Sequence, residues 1–269
     1  MRNEMREESQ EKKEELHRRK VMDVAVEAGH ILLESGAEIF RVEETIERIC
    51  RHYGVESENA FVLSNGIFAT AGNEREQYYA KVQHIPVSGA KLNRVAAVNQ
   101  LSREIEEGRY SIDEVKERLA CIKEMKGKSK PTQVLASAVG SATFCYLFGG
   151  NLRDSLAAFV AGFLLYLFVL YLGVPHLSKI IANIAGSAMV TVVSVLLFEL
   201  GLGEHLNSMI IGSIIPLIPG VSFTNAIRDI ADGDYIAGSV RMLDAVLVFL
   251  CIAMGVGLVM NGYHRIAQY

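Results

Sequence analysis

The sequence predicts an α-helical polytopic membrane protein of five transmembrane helices, preceded by an N-terminal cytoplasmic α+β domain. Three observations lead there. Residues 1–130 hold 22 of the 27 Lys and Arg and 24 of the 31 Asp and Glu, leaving 5 and 7 for residues 131–269. The second half contains five stretches without Asp, Glu, Lys or Arg, at 131–152, 155–178, 180–198, 205–227 and 245–264. Each is long enough to cross a bilayer as a helix, which takes about 20 residues at about 1.5 Å per residue. The first half instead mixes helical and strand periods. A soluble enzyme has no need of five consecutive uncharged windows of that length, so that class is excluded.

Charge and cysteine usage narrow the function further. A net charge of −4 with acids and bases interleaved offers no basic face, so no nucleic-acid partner is expected. The opening Met1-Arg2-Asn3-Glu4-Met5-Arg6-Glu7-Glu8 is too charged for a signal peptide, which places the N-terminus in the cytoplasm. Cys50, Cys121, Cys145 and Cys251 are scattered singly and read as packing thiols, with no metal or cofactor expected. The spans are expected at about 132–150, 154–173, 179–200, 206–228 and 236–262. Alternation then puts Lys179, Arg228 and Arg241 inside and only Arg153 and Arg265 outside, in line with the inner excess of basic residues. Five being odd, Tyr269 falls outside.

Residues 1–20 read as a solvated charged arm and residues 21–130 as the cytoplasmic domain, with residues 131–269 the membrane domain. From Val21 the apolar residues Val21, Val24, Ala25, Ala28, Ile31 and Leu32 recur at helical spacing, then Ile39, Val42, Ile46 and Ile49 after a break at Ser35-Gly36. The period changes at Ala60–Leu63, Gly66–Ala71 and Tyr78–Ile85, which read as strands divided by Ser64-Asn65-Gly66 and Gly72-Asn73. Two further helices follow at about 91–107 and 111–125, the second opened by a capping box of Ser111 and Glu114. The order is αα-βββ-αα.

A hydrolase reading of this half finds little to stand on. Ser35, Ser64 and Ser88 are the possible nucleophiles and His30, His52 and His84 the possible bases, but no spacing links them as a nucleophile elbow would. Met125-Lys126-Gly127-Lys128-Ser129-Lys130-Pro131 lacks the strand and first glycine of a phosphate loop, and its lysines suit an inner membrane anchor.

The polar and helix-breaking residues of the membrane half carry the functional signal. In the fourth stretch Pro216 and Pro219 remove two backbone donors and Gly220 eases departure from the helix, so the spacing predicts an interrupted helix. A new half-helix after Gly220 directs free N–H groups and positive dipole toward an anionic carboxylate. Ser222, Thr224 and Asn225 add hydrogen-bonding groups, as do Asn183, Ser187 and Thr191 at i, i+4 spacing in the third span. The alternative is a kinked helix whose small residues only pack against neighbours. Asp244, with Arg241 three residues before it on one helical face, is the candidate proton-coupling pair. If the last span begins near Tyr235, Asp244 lies within the bilayer; if the span is the uncharged 245–264 run, it lies at the inner interface. Asp232-Gly233-Asp234 lacks a full set of calcium-loop positions and reads as a hydrated loop.

These residues also carry a resemblance. The order Ser35-Gly36-Ala37-Glu38, Arg41-Val42-Glu43-Glu44-Thr45, Gly66-Ile67-Phe68-Ala69-Thr70 and Leu92-Asn93 is followed by five spans bearing Ile215-Pro216-Leu217-Ile218-Pro219-Gly220, Asn225-Ala226 and Gly238 before Arg241. It resembles the threonine/serine exporter family in its half-length version, a cytoplasmic domain followed by five spans. The resemblance implies proton-driven export of threonine, serine or a succinate-like dicarboxylate from the cell membrane. It also implies a smaller multi-span membrane subunit as partner, with a homo-oligomer as the other way to complete the pathway. A membrane-anchored sensor or assembly subunit without transport of its own is the competing class.

Overall fold

The computed structural model describes residues 2–55, 58–72, 77–85, 90–173 and 176–267. Asn73, Pro86, Ser88 and Tyr269 lie outside the described residues. The chain divides into two compact units, one of 1–127 with 221–242 and one of 128–220 with 243–269.

The first unit begins with two antiparallel helices, α1 (Arg2–Glu34) and α2 (Ile39–His52). The charged arm is the first part of α1, where Glu14–Arg18 and Glu15–Arg19 ion pairs at i, i+4 support a helix with almost no apolar face. From Val21 the apolar side is buried, and Gly29 lets α1 approach α2 so closely that a Cβ there would stand 2.7 Å from Ile46 Cδ1. Gly36, at φ +78°, turns the chain between the two helices in a conformation that disfavours other residues. Strands β1 (Glu58–Leu63), β2 (Gly66–Gly72) and β3 (Gln77–His84) form an antiparallel meander. Its alternation is clear in β2, where Ile67, Ala69 and Ala71 are buried while Phe68 faces outward beside Phe61 and Val82.

Helices α3 (Leu92–Glu106) and α4 (Ile112–Lys123) complete the core, and α4 opens with the Ser111–Glu114 capping box. Met22, Ile31, Leu32, Ile39, Ile46, Ile49, Ile67, Ile85, Ile105 and Leu119 are fully buried. At roughly 1.5–3 kcal/mol for a large apolar side chain, they supply the main folding drive of this unit.

The second unit contains α5 (Lys130–Leu147), α6 (Leu152–Phe168) running into a π-helical turn (Val169–Gly173), α7 (Lys179–Glu199), α8 (Leu206–Ile214) with a 3-10 turn (Ile215–Leu217), and most of α10 (Tyr235–Ala267). Between α8 and α10 lies α9 (Gly220–Ala231), which belongs almost wholly to the first unit. Ser129, Asn151 and Ser178 cap α5, α6 and α7, each accepting a first-turn N–H.

Lipid gives little hydrophobic drive for helix association, so close approach over small residues does the work. A Cβ at Gly162 would overlap Ser141, one at Gly212 would reach Cys145 Cα at 2.7 Å, and one at Gly255 would overlap Ser187 Oγ and the Ile184 carbonyl. Tyr166–Gln133 and Lys179–Asp244 bonds tie one end of this unit, Asn151–Glu204 and Tyr263–Glu199 bonds the other.

Against five expected spans, three helices among the described residues are long and apolar enough to cross a membrane: Leu152–Gly173, Lys179–Glu199 and Tyr235–Ile266. The bent pair α8–α9 makes a fourth if it counts as one span. The 131–152 stretch is uncharged without being strongly apolar. Its helix, α5, starts at Lys130 and carries Thr132, Gln133, Ser137, Gly140, Ser141 and Thr143.

Candidate functional site

The predicted interruption is present, and its cause is local. Ile218 is extended at φ −68° and ψ 125°, the conformation forced on a residue before proline by the Pro219 ring. Pro219 has no N–H, and the Gly220 amide turns back to the Ile218 carbonyl at 2.8 Å. Pro216 lies in the 3-10 turn, so the helical ladder is lost across this segment. Gly220 differs from expectation: it is the first residue of α9, its φ is not positive, and a Cβ there would meet nothing within 4 Å. Proline sterics at Ile218, rather than glycine freedom, make the break. Ser222 and Thr224 fall in the first turns of α9, Ser222 half-buried and Thr224 exposed.

Asn225 has another occupation. Its side-chain N–H donates to the Gly36 carbonyl at 2.8 Å, and three further contacts continue the row along the α1–α2 loop. Arg241 donates to the Ala37 carbonyl at 2.9 Å. Arg228 pairs with Glu38, which also pairs with Arg41. The Ile39 amide donates to Asp229 Oδ1 at 3.1 Å, and the other carboxylate oxygen of Asp229 receives Arg241 at 2.8 Å.

Residues 36–38 of the loop and Ile39, the first residue of α2, are thus each held by a residue of the α9–α10 hairpin. Glu38, the N-cap of α2, makes no side-chain capping bond of its own, so Asp229 satisfies an orphan N–H that the local sequence leaves open. The Asp229 side chain is fully buried and that of Arg241 only 10% exposed. Such a pair is tolerated because every charged oxygen is bonded. Gly238 keeps the hairpin tight, since a Cβ there would stand 2.9 Å from the Ile230 nitrogen and 3.0 Å from the Ala226 carbonyl.

Burial pushes the nearby Glu43 carboxyl above its ordinary range. The Val62 N–H that it accepts opposes this, and the Asp234 charge adds to it. Beside the loop, Glu34 is held below its ordinary range chiefly by its hydrogen bond from Lys91, at 2.6 Å. Ser35 Oγ is buried and hydrogen-bonded to nothing among the described residues.

In α7 the predicted polar row turns inward on its own helix. Asn183 donates to the Lys179 carbonyl at 2.7 Å, Ser187 to the Asn183 carbonyl at 2.8 Å and Thr191 to the Ser187 carbonyl at 2.7 Å. Ser187 sits where α10 crosses at Gly255, as a packing residue would.

Asp244 and Arg241 are not brought together. Arg241 is committed to Asp229, and Asp244 receives Lys179 at 2.6 Å on both oxygens. The i, i+3 spacing on α10 made Arg241 the natural partner; the buried carboxylate and loop carbonyl took it instead. Two further groups escaped sequence reasoning. Asp229 was hidden at the edge of an uncharged stretch, although the missing local cap on α2 was a signal for it. Asp154 is fully buried and accepts the Glu204 and His205 amides at 2.6 and 3.0 Å and His205 Nδ1 at 2.8 Å, fastening the 200–205 loop to α6.

With this geometry in place, relatives become informative. The family model described as "Putative threonine/serine exporter" matches residues 23–263. The chain is similar to the "Threonine/serine exporter" of Corynebacterium glutamicum, 26% identical over 246 residues that cover 88% of this chain and 50% of that protein. It is similar to the "Probable succinate transporter subunit YjjP" of Escherichia coli, 26% identical over 241 residues that cover 88% of this chain and 93% of that one. The "Probable threonine/serine exporter" of Mycobacterium tuberculosis is 21% identical over 257 residues, covering 93% and 47%. The chain therefore spans about half the length of the two threonine/serine exporters. No solved structure matches. The residues quoted above from the loop and the hairpin, Gly36, Glu38, Arg41, Asn225, Gly238 and Arg241, meet in one cluster within a match covering most of the chain, and the chain belongs to the threonine/serine exporter family.

Proposed function

We propose that this chain is one membrane subunit of a two-component secondary exporter that moves threonine, serine or a related small carboxylate such as succinate out of the cell. The observation that carries the reading is the pattern of coverage. The chain spans 93% of a relative named as a transporter subunit but only 50% of one named as a threonine/serine exporter. A second, smaller multi-span subunit supplies what the longer relatives hold in one chain. In this reading the chain crosses the cell membrane five times with residues 1–130 in the cytoplasm, α5 being a less apolar span sheltered by protein.

The solute path runs by the segment Pro216, Pro219 and Gly220, where the first N–H groups of α9, with Ser222 and Thr224, suit a carboxylate. Asn225, Asn183 and Ser187 shape the supporting helices. Proton coupling falls to Asp244: its carboxylate is charge-paired with Lys179, and protonation would release that pair during the cycle.

The test is the intracellular pool of threonine, serine and succinate in cells lacking their own exporters, with this chain expressed alone and with its smaller partner. A fall only on co-expression supports the two-component reading. A fall with the chain alone would replace the partner by a homo-oligomer. Unchanged pools, with both proteins in the membrane, would favour the sensor or assembly reading, to which the cytoplasmic loop's hold on α9 lends the one specific observation.

A further inference from the structure

We infer that His205 is the proton acceptor at the outer face of the exporter, with Asp154 as the residue that positions its ring. The inference rests on the proposed function for export and for the membrane orientation. Its geometry lies within one compact unit, since every residue it uses falls in 128–220 or 243–269.

A buried carboxylate is tolerated where its lone pairs are filled. Asp154, fully buried at the start of α6, accepts four hydrogen bonds. Oδ1 receives the Glu204 amide at 2.6 Å and the His205 amide at 3.0 Å, and Oδ2 receives the Asn151 amide at 2.8 Å and stands 2.8 Å from His205 Nδ1. Three of these donors are main-chain N–H groups, with no lone pair to take an acid proton, so the carboxyl oxygens serve as acceptors. The fourth bond is then donated by the ring, which fixes the proton of the neutral imidazole on Nδ1 and leaves the lone pair on Nε2. Nε2 is bonded to nothing among the described residues, and the His205 side chain is 53% exposed whereas that of Asp154 is not exposed at all. The pair joins a buried negative charge to an open base.

The surroundings are shaped for it. A Cβ at Gly203 would overlap Met209 Sδ and stand 3.0 Å from Asp154 Oδ1, so the loop lies on the carboxylate because that residue is glycine. Other charges at this end are spent on one another: Glu204 receives Asn151 at 2.9 Å and Arg153 at 3.3 Å, and Glu199 receives Tyr263 at 2.5 Å. Cys145 of α5 is a buried thiol close to Asp154, and His264 and Arg265 follow Tyr263 in the last turn of α10.

In the five-span orientation this end of the unit faces outside, and the Lys179–Asp244 end faces the cytoplasm. A proton that drives export enters from outside. Taken up on Nε2, it turns the ring into a cation while the Nδ1–H bond to Asp154 stays in place. His205 is also the N-cap residue of α8, so the change of charge falls at the head of the helix that runs into the Pro216 turn.

Three measurements on the full chain test this. In intact cells, His205→Cys should be labelled by a membrane-impermeant maleimide above the level of the wild-type chain; labelling only after permeabilisation would overturn the inference. In lipid nanodiscs, nitrogen NMR of the histidine-labelled chain, with His205→Gln to assign the signal, should show the neutral ring protonated on Nδ1, and a ring protonated on Nε2 would overturn it. In proteoliposomes with the smaller subunit and a fixed internal pH, wild-type efflux should rise at least threefold, as an order of magnitude, when outer pH falls from 8 to 6, and His205→Gln should lose that response.

In Asp154→Asn the response should move to lower outer pH, because the charge that favours the imidazolium is gone. A merely structural loss lowers the amount of active protein and leaves the shape of the profile alone. A wild-type profile in His205→Gln would overturn the inference, and an unmoved one in Asp154→Asn would remove Asp154 from it. If wild type with its partner exports none of the three solutes, the export reading falls, and the labelling and NMR results still decide whether Asp154 holds His205 as an outward-facing base.

Discussion

The carboxylate of Asp229 caps helix α2 from 190 residues away, accepting the Ile39 amide at 3.1 Å. A helix start ordinarily finds its cap next door, in a Ser, Thr, Asp or Asn just before the first turn. Here Glu38 occupies that place and turns its carboxylate to Arg228 and Arg41 instead. The α1–α2 turn is therefore incomplete without α9.

Stability should show this directly. Arg241→Met strands a buried carboxylate, and removing one partner of such a pair costs about 3–5 kcal/mol. The double variant Asp229→Leu/Arg241→Met buries no charge; it leaves the Ile39 N–H without its acceptor, a loss of roughly 1–3 kcal/mol, and takes the Arg241 donor from the Ala37 carbonyl just as Arg241→Met alone does. Thermal unfolding of the detergent-solubilised chain is expected to rank wild type above the double variant, and the double variant above Arg241→Met.

The crossing of α7 and α10 makes a sharper demand on size. Gly255→Ala places a methyl against Ser187 Oγ and the Ile184 carbonyl, and the backbone cannot yield without separating the helices. Gly257→Ala, two residues along, meets nothing within 4 Å. Size-exclusion profiles and thermal midpoints should show the first variant destabilised by about 1–3 kcal/mol and the second unchanged.

Acid sensitivity near neutral pH should trace in part to His30. Burial lowers its pKa below the ordinary value; Glu27 and Glu34 oppose that shift and Lys123 adds to it. The unfolded chain takes up this proton as pH falls through about 6.5 while the folded chain does not, so stability present at pH 7 and above is lost progressively until the folded pKa is passed. His30→Gln is expected to flatten the thermal midpoint between pH 7 and pH 5 relative to wild type. An equal slope in both proteins would assign the acid sensitivity to other groups.

Coupling has its own signature. Asp244→Asn keeps a hydrogen-bond acceptor for Lys179 but cannot be deprotonated, so efflux should continue downhill and lose its dependence on an imposed pH gradient. Retained dependence would return Asp244 to a topological role at the membrane edge.

Much of the local structure was legible because its causes are local. The Ser111–Glu114 box, the Ser64-Asn65 turn and the Pro219 break each follow from a few adjacent residues. The alternation of β2 and the apolar faces of α1 and α2 followed from period alone. What escaped was set by contacts across the chain. Nothing in the spacing of Ile39 and Asp229 announces their bond, and the i, i+3 rule for Arg241 and Asp244 lost to stronger partners on other elements. The 131–152 stretch taught a different point. Absence of charge is weaker than presence of apolar surface, and Gln133, Ser137, Gly140 and Ser141 leave α5 short of what an isolated span requires.

The most direct measurement is efflux of labelled threonine or succinate from proteoliposomes holding the smaller subunit and either wild-type chain or Gly220→Leu. The residue at 220 follows the break, and a Cβ there meets no atom within 4 Å, so Gly220→Leu should insert, fold and bind its partner normally while occupying the space before α9. Loss of efflux of at least tenfold, with partner binding intact, is the expected result. Wild-type efflux through the Gly220→Leu protein would contradict a solute path at the break.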